Sequence, residues 1–192
     1  MPLKRRPTKA GLYHIAVRSP TPELFFLDSD DRIHFLTILA NVTKNTEWTC
    51  LAVCLMGTHY HLVVDAAQGV LPDAMQRINW RYAFDFNQCH GHKGHHVGGK
   101  YLSIPIKSDA QLLACFRYVV LNPVRAGLCN HPGEWRWSSY GASVGEVSRP
   151  SFLSLDVVRA FGGADGYAEY VEEGLAAIRA ERHARKRVRP EV

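Results

Sequence analysis

Trp48-Thr49-Cys50-Leu51-Ala52-Val53-Cys54-Leu55-Met56 is a compact apolar run of strand length, and Tyr60-His61-Leu62-Val63-Val64-Asp65 follows it after a Gly57-Thr58 break. Two apolar strands parted by so short a break read as a hairpin at the centre of a sheet. Outward from it, residues 12–18 (LYHIAVR) alternate enough to be a strand. Residues 28–44 between them carry Ile33, Phe35, Leu36, Leu39 and Val42 at roughly helical spacing, with Asp28, Ser29 and Asp30 as N-terminal caps. Beyond the hairpin, residues 71–87 are helical and open on Pro72 and Asp73. Residues 87–99, rich in Gly and His, read as a loop. Residues 100–107 read as a strand that Pro105 places at a sheet edge. Residues 108–121 form a helix capped by Ser108 and Asp109, and Asn122-Pro123 should disturb or end it.

The order strand, helix, strand, strand, helix, strand, helix is that of an α+β, ferredoxin-like split βαβ fold: an antiparallel sheet with helices on one face. After Trp135-Arg136-Trp137 the remainder reads as a small helical C-terminal extension. The expected organisation is a basic arm over 1–10, a main domain over 11–130, an extension over 131–178, and a basic tail over 179–192 expected to be disordered.

The 192 residues, 46% hydrophobic and 21% charged, suit one sizeable core with an ordinary globular balance. No apolar run approaches the roughly 20 residues needed to cross a bilayer. The basic start has no apolar stretch after it long enough for a secretion signal, so a cytoplasmic location and no membrane partner are expected. Five cysteines without CxxC pairs indicate neither a disulfide framework nor a structural zinc site, and Cys50 and Cys54 read as buried free thiols. The net charge of +5 fits a polyanionic partner. Its basic clusters lie at the start (Lys4, Arg5, Arg6, Lys9) and end (Arg179, Arg182, Arg185, Lys186, Arg187, Arg189), where solubilising tails are the plainer reading.

Three groups of residues could carry chemistry. His59 and His61, two apart on a strand, point to one side and can present two imidazoles to one divalent ion; a solvent-facing pair is the alternative. Tyr118 and Asn122, four apart on a helix, project together. A phenol is a possible nucleophile and an amide oxygen a legitimate hard-metal ligand, although an aromatic core residue before a helix-ending Asn-Pro is the plainer reading. Asn79-Trp80-Arg81-Tyr82-Ala83-Phe84 offers rings and an arginine that could stack on unpaired bases and clamp phosphates, or an ordinary amphipathic helix.

Taken in order, Leu12-Tyr13-His14-Ile15, Thr58-His59-Tyr60-His61-Leu62-Val63-Val64, Asn79-Trp80-Arg81-Tyr82, Tyr118-Val119-Val120-Leu121-Asn122-Pro123-Val124-Arg125-Ala126-Gly127-Leu128 and Trp135-Arg136-Trp137-Ser138-Ser139-Tyr140 resemble the REP-associated tyrosine transposases, within the HUH single-strand nucleases. The resemblance runs from about residue 11 to 140. It implies that His59 and His61 are the metal motif, that Tyr118 is the nucleophile, and that Asn122 completes a shell around Mg²⁺ or Mn²⁺. It also implies single-stranded or hairpin DNA with REP-like palindromes as partner, and a monomer or homodimer. The residues expected to meet DNA are Lys4, Arg5, Arg6, Arg18, Arg81, Tyr82, Lys100, Arg117 and Arg125. Relatives usually carry Pro-Asn where this chain has Gly57-Thr58, and Phe-Gln-Gly-Arg-Tyr where it has Val97-Gly98-Gly99-Lys100-Tyr101. The rival readings are a catalytically silent hairpin-binding regulator on the same fold and a histidine phosphoesterase with no covalent intermediate.

Overall fold

A computed structural model describes residues 8–19, 24–92 and 101–188, with side chains as far as residue 184. Lys4, Arg5, Arg6 and Lys100 lie outside the described residues. The elements come in the expected order: β1 (Gly11–Arg18), α1 (Ser29–Lys44), β2 (Trp48–Leu55), β3 (His59–Ala66), α2 (Val70–His90), β4 (Leu102–Pro105) and α3 (Asp109–Arg125). A short helix α4 (Tyr140–Ser143) and a long one, α5 (Ala164–Val188), follow. All strand pairs are antiparallel, in the order β2-β3-β1-β4. This is the α+β ferredoxin-like sheet that the pattern predicts, with Pro105 on the edge strand.

Only half of the central hairpin is central. β1 inserts between β3 and β4, leaving β2 at the other edge. That edge is closed by the chain after α3. Leu55 N donates to Trp137 O at 2.9 Å, Ser139 N to Val53 O at 2.8 Å, and Ser154 N to Cys50 O at 2.8 Å. An apolar edge strand left open would invite pairing with another chain, so the extension has a structural task.

Strand alternation divides the interior into two layers. Ile15, Val17, Tyr60, Leu62 and Val64 face α1 and α2, where they meet Phe25, Phe26, Phe35 and Tyr82. On the other face, Ala52, Cys54 and Val63 meet Phe116, Val119 and Val120 of α3, with Tyr167, Val171 and Leu175 of α5 behind them. Helices on one face thus describes α1 and α2 of the split unit, while α3 and α5 add a layer beneath. The reason is compositional: β2 and β3 are apolar on both sides, and such strands need cover on both. Burying each large apolar side chain contributes roughly 1.5–3 kcal/mol. The Tyr60 hydroxyl donates to Asn79 Oδ1 at 2.6 Å and the Tyr82 hydroxyl to Phe25 O at 2.9 Å, which offsets their desolvation.

Asp28 caps α1 by accepting from Asp31 N, and Ser108 caps α3 by accepting from Gln111 N. The fourth strand is shorter than the expected 100–107, and three helices run past the ends expected for them. α2 continues to His90, taking the first residues assigned to the loop, and stops at Gly91 with φ 65°. α3 passes through Asn122-Pro123 to Arg125. Proline removes only the bond from its own missing N–H to Val119 O, and the helix ends within one turn. α5 runs on through residues 179–188, which the sequence reading gave to the tail. Among the described residues no helix is long and apolar enough to cross a membrane.

α3 is clamped by α5. The Arg117 guanidinium sits 4.2 Å from the centre of the Tyr170 ring, and Nη1 donates to Tyr170 O at 3.3 Å. Gly174 allows the approach: a Cβ there would stand 2.5 Å from Arg117 Cδ and 2.9 Å from Leu121 Cδ1. Arg117 can yield, but Leu121 is buried in the layer beneath the sheet. Gly174→Val should therefore lower stability by about 1–3 kcal/mol, read as a shift in the urea midpoint at unchanged slope.

Candidate active site

His59 and His61 face away from Tyr60 and Leu62, towards α3. In the β1–β3 register Ala16 lies opposite His61 and Arg18 opposite His59, so His14, Ala16 and Arg18 share that face. Across from them α3 presents Tyr118 and Asn122 one turn apart. Ring centroids lie 5.1 Å apart for His59 and His61 and 5.5 Å for His61 and Tyr118. The Asn122 amide is a close neighbour of His59 and helps it to hold a proton. The four residues that the two spacings single out are thus brought to one place, all from one chain. Tyr118 is 43% exposed while Asn122 is only 8% exposed, so the phenol is reachable and the amide is packed in.

The imidazoles are held neutral. Burial first, then the positive charges of His14, His59 and Arg18, pull His61 down to about 3. Burial and Arg18 lower His59, an effect that the neighbouring Asn122 amide partly offsets. His14 is lowered by burial. The linkage has a definite sign. In the unfolded chain these groups titrate near about 6.5, so between there and about 3 the unfolded state binds more protons. Metal-free protein should lose stability as pH falls through that window, at about 1.4 kcal/mol per unit of displacement. Denaturant midpoints between pH 7 and 4 would show the slope, and His61→Leu should flatten it.

Two imidazoles and an amide are groups that could hold a divalent ion. A ligand imidazole must be neutral. Both ligand candidates have Nδ1 occupied, His59 by Thr58 Oγ1 at 3.1 Å and His61 by His14 Nε2 at 3.0 Å, which leaves Nε2 for an ion. One amide atom of Asn122, Nδ2, is buried without a hydrogen-bond partner. Amide orientation follows from the surrounding bonds, and turning the group presents the oxygen instead. Among the described residues no group of three or more His, Cys, Asp and Glu could hold a metal, and the Asn122 amide is the further donor group beside the two histidines.

A cavity of about 570 Å³ opens beside Tyr118, lined by His14, His61, Ile104, Gln111 and Cys115 among others. Its wall is chiefly apolar, from β4 and α3.

The residues expected to meet DNA do not all gather here. Arg18 stands at the site's edge, opposite His59. Arg125 is exposed at the end of α3, and Arg117 is engaged by α5. Arg81 is on α2, across the sheet, paired with Asp85 at 2.7 Å. Tyr82 is fully buried in the upper layer, which removes it from any DNA surface. In its segment Trp80 and Phe84 are the exposed rings, stacked at 5.7 Å. Sequence reasoning missed His14. The available signal was its phase: in LYHIAVR it shares the face of Arg18, not that of the buried Tyr13 and Ile15.

Comparison with known proteins bears on the fold and the family. No curated protein matches the sequence significantly. A solved REP-associated tyrosine transposase bound to a REP hairpin has the same fold, at TM-score 0.63 and 15% identity over 82% of this chain and 93% of that one. A Deinococcus radiodurans transposase candidate overlaps less well, at TM-score 0.44 and 16% identity over 59% of this chain and 92% of the other. The family model described as "Transposase IS200 like" matches residues 9–120, a span that takes in His14, His59, His61 and Tyr118 and stops two residues before Asn122. Because that match covers more than half of the 192 residues, the chain belongs to the IS200-like transposase family.

Proposed function

We propose that this transposase binds REP-type hairpin DNA and cuts and rejoins the adjoining single strand through a 5′-phosphotyrosine on Tyr118. The observation that carries the reading is the meeting of His59, His61, Asn122 and an accessible Tyr118 on one sheet face. In the reaction, Tyr118 Oη attacks a backbone phosphorus in line, the P–O3′ bond breaks, and the leaving oxygen is protonated to a 3′ hydroxyl. The phenol gives its own proton to solvent at the exposed edge of the ring. A Mg²⁺ or Mn²⁺ ion held by His59, His61 and Asn122 would supply charge neutralisation at the non-bridging phosphate oxygens. Arg18, opposite His59, adds positive charge where the phosphate must sit. α3 fixes the attacking oxygen relative to the histidines, the positional contribution to the rate.

The phosphotyrosine keeps the energy of the diester, so a different 3′ hydroxyl can reverse the step and join strands. The apolar cavity beside Tyr118 supports an unpaired substrate, since a base removed from a duplex needs an apolar surface to lie on.

The test uses a hairpin oligonucleotide with single-stranded flanks, copied from palindromes beside the gene. With Mg²⁺ or Mn²⁺ it should give a protein–DNA band that survives denaturation. Tight binding without that band would favour the silent regulator instead.

A further inference from the structure

His14 lies outside the set of nucleophile and ligands, yet it touches both. Its Nε2 is 3.0 Å from His61 Nδ1, its ring stacks on that of His61 at 5.1 Å and 24°, and it meets the Tyr118 ring edge-on at 5.7 Å. Two neutral imidazoles can share that bond in only two ways. If His14 Nε2 donates, His61 Nδ1 spends its lone pair as acceptor, and its proton lies on Nε2, the nitrogen left for an ion. If His61 Nδ1 donates, His14 Nε2 accepts and the His61 Nε2 lone pair is free. Only the second arrangement is compatible with His61 as a ligand.

We infer that His14 is a positioning residue, whose Nε2 accepts the His61 Nδ1 proton and so holds His61 in the tautomer and ring orientation that offer Nε2 to a divalent ion. The inference rests on the proposed metal role of His61. Three observations support it. His61 is only 5% exposed, so water is a poor substitute for the partner. His59 is served in the same way, by Thr58 Oγ1 on its Nδ1 at 3.1 Å, and the two ligand candidates therefore have matching outer partners at matching atoms. Such partners fix ring orientation and typically change metal affinity or activity by about 10–100-fold. Finally, β1 puts His14 on the site face by strand phase alone, diagonal to His61 in the β1–β3 register. The bond therefore follows from the backbone register and does not depend on a mobile loop.

The test has two readouts, neither of which is cleavage. In metal-free protein, ¹⁵N shifts of the imidazoles should report His61 with its proton on Nδ1. His14→Phe keeps an aromatic ring on Tyr118 but removes the acceptor, and should shift His61 towards a mixture or the other tautomer. His14→Asn places an amide oxygen within reach of the same proton and should restore the original shifts. In a titration followed by electron paramagnetic resonance, without DNA, Mn²⁺ affinity should fall about 10–100-fold in His14→Phe and recover in large part in His14→Asn. His14→Ala repeats both measurements if Phe proves too large to fold. Unchanged ¹⁵N shifts in folded His14→Phe, or unchanged Mn²⁺ affinity, would overturn the inference. A wild-type chain that binds no Mn²⁺ would count instead against the metal reading of the site, and the nitrogen shifts alone would then decide the role of His14.

Discussion

Tyr118→Phe is expected to abolish the denaturation-resistant protein–DNA band and to leave hairpin binding nearly unchanged. The change removes one oxygen, and in the proposed reaction that oxygen forms the new bond to phosphorus, so adduct formation should fall by at least about 10³-fold. The fold should not suffer, because the ring is 43% exposed and a surface change of this kind usually stays within about 0.5 kcal/mol. The tyrosines of β1, β3 and α2 cannot readily take over. Tyr60 and Tyr82 are fully buried, their hydroxyls committed to Asn79 and to the Phe25 carbonyl. The Tyr13 hydroxyl donates to Lys9 O at 2.8 Å, and Tyr13 faces the opposite layer. A Tyr118→Phe protein that still formed the adduct would therefore remove the residue from the mechanism altogether. One that lost the adduct and the hairpin affinity together would point to a binding role.

The parts of this site that could be read without coordinates were those set by a fixed period. His59 and His61 share a face because strands repeat every two residues, and Tyr118 and Asn122 share one because helices return after about four. That the two faces meet was not legible, since the sequence reading put helices on one face and left the histidine side either polar or covered. Other features have no such signature. His14 is a lone histidine in an alternating strand, and its value comes from a diagonal contact that only the register reveals. Tyr82 looked like part of an aromatic-basic surface, but a helix turns 100° per residue and its phase puts Tyr82 inward with Asn79 while Trp80 stays out. The clamp on Arg117 joins residues more than fifty apart and depends on Gly174, whose lack of a side chain shows no purpose until α5 is laid on α3.

Asn122→Leu should separate what the site costs from what it does. Asn122 is buried, and its Nδ2 has no hydrogen-bond partner. An unpartnered buried polar atom costs about 1–3 kcal/mol, a cost that persists in a fold when the group has another use. Leucine keeps the branching at Cγ, has the better helix propensity and removes the orphan, at the expense of the amide beside His59. Metal-free Asn122→Leu should therefore be as stable as the wild type within about 1 kcal/mol, or slightly more stable. Its response to Mn²⁺ should be lost. The wild type should gain about 2.7 kcal/mol in the presence of ion at a hundred times its dissociation constant, and the variant little of that. Adduct formation should drop by at least about 10²-fold. Measured side by side, metal-free denaturant midpoints, midpoints with Mn²⁺ and adduct yield give three numbers with different expected signs. A variant several kcal/mol less stable without metal would make Asn122 a structural residue of α3. A variant still stabilised by Mn²⁺ as strongly as the wild type would place the ion without it. Either result would take Asn122 out of the metal shell, and no other described side chain pairs an orphaned polar atom with contact to a site histidine.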